Sequence, residues 1–301
     1  MSTDNITFME QTLAVPEVAS RRSFATRAMV FARGRHWTFL AGSVMLLVIA
    51  ALLISGPWIA PHSPSAQSLL ARLSLPSAQH WLGTDQLGRD VLSRLLVGGQ
   101  FAIMIATITL LLCVSIGTVI GVMAARSGGW FDEISMRVVD LLISFPDVVV
   151  AIFLIAILGP GYGTLIVSLT VIGWTPFARV ARGLALAINS KEYIKAAEVL
   201  GCTRSFIIFR HVIPNAARPI AAITFLRFGH KLITVGGLSF LGLGVQPPHA
   251  DWALMLAQSQ PYAERMPLLV IAPGLAIFLT ALSVTWIGQG LELKNKSAAE
   301  G

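Results

Sequence analysis

The sequence predicts an all-α integral membrane protein with six transmembrane helices, and two observations support this fold class. The first is composition: 55% of the 301 residues are hydrophobic and only 12% are charged, and the mean hydropathy is +0.74. A soluble domain needs more polar surface than such a chain provides. The second is a series of long apolar runs, since about 20 apolar residues are needed to cross ~30 Å of hydrocarbon.

Each apolar run ends at polar or helix-breaking residues. The first stops at Gly56 and Pro57, the second at the RSGGW segment that begins with Arg126, and the third at the Gly-Pro-Gly sequence 159–161. The predicted spans are residues 37–56, 101–125, 134–158, 164–188, 216–243 and 266–289. An even number of spans places both termini on one side of the membrane.

The distribution of Lys and Arg predicts which side this is. Sixteen of the 22 basic residues lie on the side of the termini, against four in the loops of the other side. Because cytoplasmic segments carry the excess of Lys and Arg, both termini are predicted to be cytoplasmic. The predicted organisation is a basic tail, a six-helix domain and a second tail, with two outer loops and one cytoplasmic loop between the fourth and fifth spans. These segments are residues 1–36, 37–290 and 291–301, with outer loops 57–100 and 244–265 and cytoplasmic loop 189–214.

Glycine and proline predict local geometry inside two spans. Gly117 and Gly121 form a GxxxG pattern in the second span, which allows close crossing with another helix. Pro146 in the third span removes a backbone hydrogen bond, so it is predicted to kink that helix, either as a hinge or as a static bend.

Charged residues at membrane depth are costly and therefore mark candidate functional positions. Asp147 falls in the middle of the third span, and Arg227, His230 and Lys231 fall in the fifth. In one interpretation, Asp147 forms a structural ion pair with Arg227 or Lys231. In the other, Asp147 and His230 line a transport pathway and contact a cationic or chelated metal.

The loop between the fourth and fifth spans predicts two short helices. Lys191 to Leu200 favours a helix, and Gly201 can end it with a left-handed cap. Residues 202–212 predict a second helix that Pro214 stops. Such a pair suits docking into a groove on another protein, although it is also consistent with a solvated hairpin that links two spans.

The outer loop before the second span contains HWLGTDQLGRD, residues 80–90. Asp85 and Asp90 can cap turns, and Gly83 and Gly88 supply a permissive backbone. The alternative interpretation makes His80, Asp85 and Asp90 metal ligands.

Several functions are excluded or disfavoured by the sequence. The net charge of +7 does not indicate nucleic-acid binding, because the basic residues flank apolar runs and form no face. Cys113 and Cys202 form no disulfide framework or metal motif. An intramembrane enzyme would need an H-E-x-x-H or paired-carboxylate pattern at membrane depth, which the sequence lacks.

Four motifs, in order along the chain, resemble the permeases of ABC importers of the peptide/nickel group. EYIKAAEVLG (192–201), followed after nine residues by HVIPN, is similar to their EAA loop. HWLGTDQLGRDVLSRLLVGG (80–99), FPDVVVAIFLIAILG (145–159) and LSFLGLGVQPPHADWALML (238–256) are similar to further motifs of the group. The sequence GHKLITVGGLSFLGLGV (229–245) looks more like the nickel and metal-chelate branch, since peptide members usually have an acidic residue where Val235 stands. Ala253 departs from the usual Gly, and the C-terminal GQGLELKNK lacks the usual G-D-x-L-R-D ending.

The resemblance implies a type I ABC importer permease fold, in which loop 189–214 is a cytoplasmic coupling helix that docks on an ATPase. Ala196, Ala197, Glu198, Gly201 and Pro214 match the family motif, and the predicted coupling residues also include Tyr193 and Arg204. The position of the outer loop before the second span suggests contact with a solute-binding protein through His80, Asp85, Arg89 and Asp90. The implied partners are a homologous second permease subunit, two cytoplasmic ATPase subunits that bind ATP and Mg²⁺, an extracytoplasmic solute-binding protein and the lipid bilayer.

The function implied is that of half of a translocation pathway in a bacterial inner membrane, for nickel or metal-chelate uptake. A di- or oligopeptide importer of the same group is the alternative, and a passive channel is a remote one. No cofactor and no catalytic activity are expected in this chain, because it lacks the G-x-x-x-x-G-K-[ST] pattern of an ATP-binding subunit.

Overall fold

The computed structural model describes the backbone of residues 24–244, 246 and 248–299, and the side chains of residues 37–244, 246 and 248–292. The basic residues of the predicted tails therefore lie outside the described side chains.

The described residues form helices and no strands, as the composition predicts. The α-helices are α1 (Phe24–Ile59), α2 (Val91–Ser127), α3 (Gly129–Ile143), α4 (Asp147–Leu158), α5 (Tyr162–Gly173), α6 (Thr175–Asn189), α7 (Glu192–Val199), α8 (Arg204–Ile207), α9 (Ile213–Phe240), α10 (Trp252–Ser259) and α11 (Leu268–Ala299). A π-helical turn, Ile208–Val212, joins α8 to α9.

The candidate membrane spans follow the predicted ones with two changes. Single helices long and apolar enough to cross a bilayer lie in α1 (Trp37–Ile59), α2 and α11 (Leu268–Glu292). The third and fourth predicted spans are each a bent pair: α3 and α4 meet at 84°, and α5 and α6 at 40°. The fifth predicted span is α9, whose 28 residues are long enough to cross a membrane but include Arg227, His230 and Lys231, so it is not among the apolar candidates within the described residues.

The break between α3 and α4 lies at Pro146. Helix α3 ends at Ile143, and Pro146 has a ψ of 125°, outside the helical range, directly before Asp147 begins α4. Proline lacks a backbone N–H and disfavours the helical conformation in the residue before it. The predicted kink is therefore a complete helix break.

The GxxxG pattern of α2 packs against α6. A Cβ at Gly117 would lie 2.4 Å from the carbonyl oxygen of Trp174, and one at Gly121 would lie 2.3 Å from that of Ala178. Only glycine allows the two backbones to approach this closely, so the predicted close crossing is confirmed.

The loops assemble at the two ends of α2. At its N-terminal end the two predicted outer loops meet, since Arg89 Nη2 donates to Gln258 Oε1 at 2.9 Å and Trp252 Nε1 donates to the Leu95 carbonyl at 2.8 Å. At its C-terminal end Arg126 contacts the loop 189–214. A helix of 37 residues is ~55 Å long at 1.5 Å per residue, so the outer loops and the loop 189–214 lie at opposite ends, as predicted.

Candidate functional site

The first helix of the loop 189–214, α7, packs one face on the membrane domain. Ile194 and Ala197 are buried in a cluster with residues of α2, α6 and α9. Tyr193 and Ala196 are exposed on other faces of the helix. The spacing of the buried pair, three residues apart, puts both on one side of the helix. This arrangement holds α7 against the domain and leaves part of its surface free.

The end of α7 is the predicted left-handed cap. Gly201 has a φ of +79°, its N–H donates to the Glu198 carbonyl at 3.0 Å, and the N–H of Cys202 donates to the Ala197 carbonyl at 3.0 Å. These two bonds form a Schellman motif, which satisfies carbonyls at the helix end. The Thr203 hydroxyl then accepts from the Phe206 N–H at 3.3 Å and so caps α8. The predicted role of Gly201 as a cap is confirmed.

The predicted stop at Pro214 is wrong. Pro214 lies in the first turn of α9, and the chain stays helical from Arg204 through the π turn into α9. In a regular helix the proline ring would clash with the carbonyl four residues earlier, and its missing N–H would leave one carbonyl without a partner. The wider π turn directly before Pro214 accommodates the residue without ending the helix.

Glu198 forms an ion pair that the sequence did not predict. Its Oε1 lies 2.6 Å from Nη1 of Arg126, in the last turn of α2. The Arg126 side chain is only 14% exposed, whereas that of Glu198 is 46% exposed. The pair therefore ties α7 to the end of a membrane helix, while part of the carboxylate remains accessible.

The free surface of the loop includes large apolar side chains. Val199 is 88% exposed, Leu200 82% and Phe209 72%, with Tyr193 and Phe206 about half exposed. We refer to these five residues as the loop surface. The Tyr193 and Phe206 rings each lie 5.8 Å from the ring of His211. Apolar side chains this exposed on a polar loop indicate an interaction site, and the sequence analysis identified only Tyr193 among them.

A second candidate site is a cavity of about 290 Å³ between α2, the α3–α4 break, the α5–α6 break and α9. Its ionisable lining residues are Asp147, Arg227, His230 and Lys231. The Lys231 Nζ lies 3.9 Å from Asp147 Oδ2. Asp147 is not in the middle of a helix as predicted, because the break at Pro146 makes it the first residue of α4. Its Oδ1 accepts the N–H of Val148 at 2.9 Å.

The two interpretations of these charges are compatible in the structure. Asp147 pairs with Lys231, and both Asp147 and His230 also line the cavity. Arg227 lies over the Phe177 ring at 5.7 Å from its centre, and among the described side chains no carboxylate lies within 4.0 Å of its nitrogens. Two basic side chains, Arg227 and Lys231, and one carboxylate therefore line the cavity beside His230, so its formal net charge is positive.

The structure separates Asp85 from His80 and Asp90, the three residues that the sequence analysis grouped as candidate metal ligands. Asp85 accepts from Arg89 Nε at 2.6 Å and from the N–H groups of Leu87 and Arg89, and Arg94 lies 3.6 Å away. It is therefore committed to arginine pairs, and the hypothesis that it shares a metal site with His80 and Asp90 is wrong.

His80 and Asp90 do lie together, and His62, which the sequence analysis did not identify, lies beside them. His80 Nδ1 lies 2.9 Å from Asp90 Oδ1, and His62 Nδ1 lies 3.9 Å from the same oxygen. Burial of Asp90 raises its pKa. The hydrogen bonds from Ser93 and His80 and the charge of His62 together lower the pKa by more, so the net pKa is below the usual value.

The burial of this loop limits which residues can meet another protein. Asp85, Arg89 and Asp90 are buried, while His80 is partly exposed and its neighbour Trp81 is 68% exposed. Contact with a solute-binding protein remains a prediction, and on this geometry it falls on His80 and Trp81.

Comparison with known proteins gives two family matches. The family described as "Binding-protein-dependent transport system inner membrane component" matches residues 117–296. The one described as "N-terminal TM domain of oligopeptide transport permease C" matches residues 34–76.

Individual relatives are similar over most of the chain. The glutathione transport system permease protein GsiD of Pectobacterium atrosepticum is 35% identical over 258 residues, which is 85% of this chain and 86% of the relative. The nickel transport system permease protein NikC of Escherichia coli K12 is 32% identical over 263 residues, 87% and 95% of the two chains. The probable D,D-dipeptide transport system permease protein DdpC of the same strain is 33% identical over 282 residues, 94% of each chain.

Proposed function

Because the chain belongs to the family of inner membrane components of binding-protein-dependent transport systems, we propose that it forms half of a translocation pathway driven by ATP hydrolysis in partner subunits. It is a multi-pass permease subunit of an ABC importer. In the proposed complex a homologous second permease completes the pathway. Two cytoplasmic ATPase subunits bind ATP and Mg²⁺, and an extracytoplasmic solute-binding protein delivers the substrate at the outer loops.

The observation that supports the ATPase partner is the loop surface. Its five side chains lie at one end of α2, on a loop whose Lys and Arg content predicts the cytoplasmic side. The buried face of α7 and the Arg126–Glu198 pair hold this surface against the membrane domain. A short, firmly attached helix with a free apolar surface suits docking in a groove. A movement of the ATPase would then be transmitted to the membrane helices.

The charge of the cavity supports a class of substrate. The relatives are named for transport of glutathione, nickel and D,D-dipeptide, so their names leave metal and peptide equally open. Arg227 and Lys231 repel a free divalent cation and attract carboxylates. We therefore propose a substrate that bears carboxylates, either a peptide or a metal ion enclosed in an acidic chelator. In this proposal, nickel is transported only when it is bound in such an acidic chelator.

The docking proposal is tested with Leu200→Asp and Phe209→Asp in the assembled transporter. A charge in the middle of an apolar contact should remove most co-purification of the ATPase subunits while the permease still inserts into the membrane. Trp81→Asp is the matched control, because Trp81 is similarly exposed but lies at the opposite end of α2. Normal ATPase recovery with both loop variants would contradict the proposal.

A further inference from the structure

His62, His80 and Asp90 form a compact group outside the loop surface and the cavity. One ligand atom from each residue lies within 4.8 Å of those of the other two. The imidazole rings of His62 and His80 are 4.7 Å apart. The three residues come from separate parts of the outer loop: the segment after α1, the turn before Gly83, and the N-cap residue directly before α2.

Hydrogen bonds fix the group in place. The Ser93 N–H and hydroxyl both donate to Asp90 Oδ2, at 2.8 and 2.7 Å, which leaves Oδ1 facing the two imidazoles. The same Ser93 hydroxyl accepts the backbone N–H of His62 at 3.0 Å. The His80 carbonyl accepts the N–H of Gly83 at 2.9 Å. All three candidate ligands are therefore anchored near the start of α2, and the carboxylate is oriented by neighbours as metal-bound carboxylates usually are.

The spacing of the three ligand atoms is compatible with one shared metal ion. Metal–nitrogen and metal–oxygen bonds of ~2.1 Å place neighbouring ligand atoms about 3.0 Å apart in an octahedron and about 3.4 Å apart in a tetrahedron. The distances from Asp90 Oδ1 to the two Nδ1 atoms, 2.9 and 3.9 Å, lie on either side of these values. The more distant ligand, His62, is also the more exposed of the two imidazoles, with 42% of its side chain accessible.

We propose that His62, His80 and Asp90 bind one divalent late transition-metal ion, such as Zn²⁺ or Ni²⁺, at the outer-loop end of α2. Two imidazoles and one carboxylate suit these ions, whereas Mg²⁺ and Ca²⁺ prefer oxygen ligands only. Asp90 is 2% exposed, but His80 is 20% and His62 42% exposed, so one side of the site is open. Three protein ligands with an open side leave positions for water or a chelator, which makes the bound ion exchangeable.

The test is metal binding by the purified full chain in detergent, with its affinity tag removed and after treatment with a chelator. Equilibrium dialysis against Ni²⁺ and, separately, Zn²⁺ should give one ion per chain. His62→Ala and His80→Ala should each weaken the affinity at least about tenfold. His249→Ala is the matched control, because His249 lies against Phe101 outside the group, and it should leave the affinity unchanged.

Asp90 needs a different substitution because it also caps α2. Asp90→Asn keeps an acceptor for the Ser93 N–H but loses the charge, so it should weaken binding while the melting temperature stays close to that of the parent chain. Absence of binding in the parent chain, or equal binding in the parent and both histidine variants, would overturn the proposal. The readout requires no ATPase, binding protein or transport, so its failure is distinguishable from failure of the proposed importer function.

Discussion

Reversing the charge of Glu198 should detach α7 from the end of α2. In Glu198→Arg, the 2.6 Å pair with Arg126 is replaced by two like charges. Exposed ion pairs contribute ~0.2–1 kcal/mol, and the 14% exposure of the Arg126 side chain puts this pair near the upper end. Two like charges 4 Å apart repel by about 4 kcal/mol at an effective dielectric constant of 20. Since both arginines can move toward solvent, we expect a net cost of ~1–3 kcal/mol.

Every 1.4 kcal/mol of this cost shifts the equilibrium between attached and detached α7 about tenfold toward the detached state. Hydrogen exchange over residues 192–201 measures the attachment directly, and ATP hydrolysis stimulated by the solute-binding protein measures its effect on coupling. The double variant Arg126→Glu with Glu198→Arg restores opposite charges and should recover both. Glu192→Arg reverses a charge at the other end of α7 and serves as the control. If the double variant recovers neither readout, Glu198 acts through a partner subunit and the anchoring argument fails.

Two further predictions concern packing and the cavity. Gly121→Ala should lower the free energy of unfolding by ~1–3 kcal/mol, because its Cβ would lie 2.3 Å from the Ala178 carbonyl oxygen. Gly183→Ala, whose Cβ meets no atom within 4 Å, should be neutral or slightly stabilising; equal melting temperatures for the two variants would contradict the close crossing. Arg227→Gln should reduce uptake of a carboxylate-bearing peptide more than that of its C-terminal amide, whereas Arg137→Gln, outside the cavity, should leave both unchanged. A uniform loss of uptake for both peptides would count against carboxylate recognition.

Features set by neighbouring residues could be predicted from the sequence, and features set by distant ones could not. The cap at Gly201 and the glycine contact at Gly121 depend on a few consecutive positions of one helix. The position of Pro146 predicts a disturbance, but whether it is a kink or a complete break depends on the helices packed around it. The contacts of Arg126 with Glu198 and of His62 with Asp90 could not be predicted, because the partners are far apart along the chain and only the fold brings them close.

Helix α9 links the two proposed sites physically. It begins directly after the π turn of the loop, at Ile213, and its later turns carry Arg227 and Lys231 into the cavity. At 1.5 Å per residue, Arg227 is ~21 Å along the helix axis from Ile213. Asp147 begins α4, a different helix from the one that carries Lys231, so a displacement of α9 by the ATPase need not move Asp147 equally. The distance between Lys231 and Asp147, now 3.9 Å, would then change. Under the proposed function, the ion pair is therefore the point where movement of the loop reaches the substrate cavity.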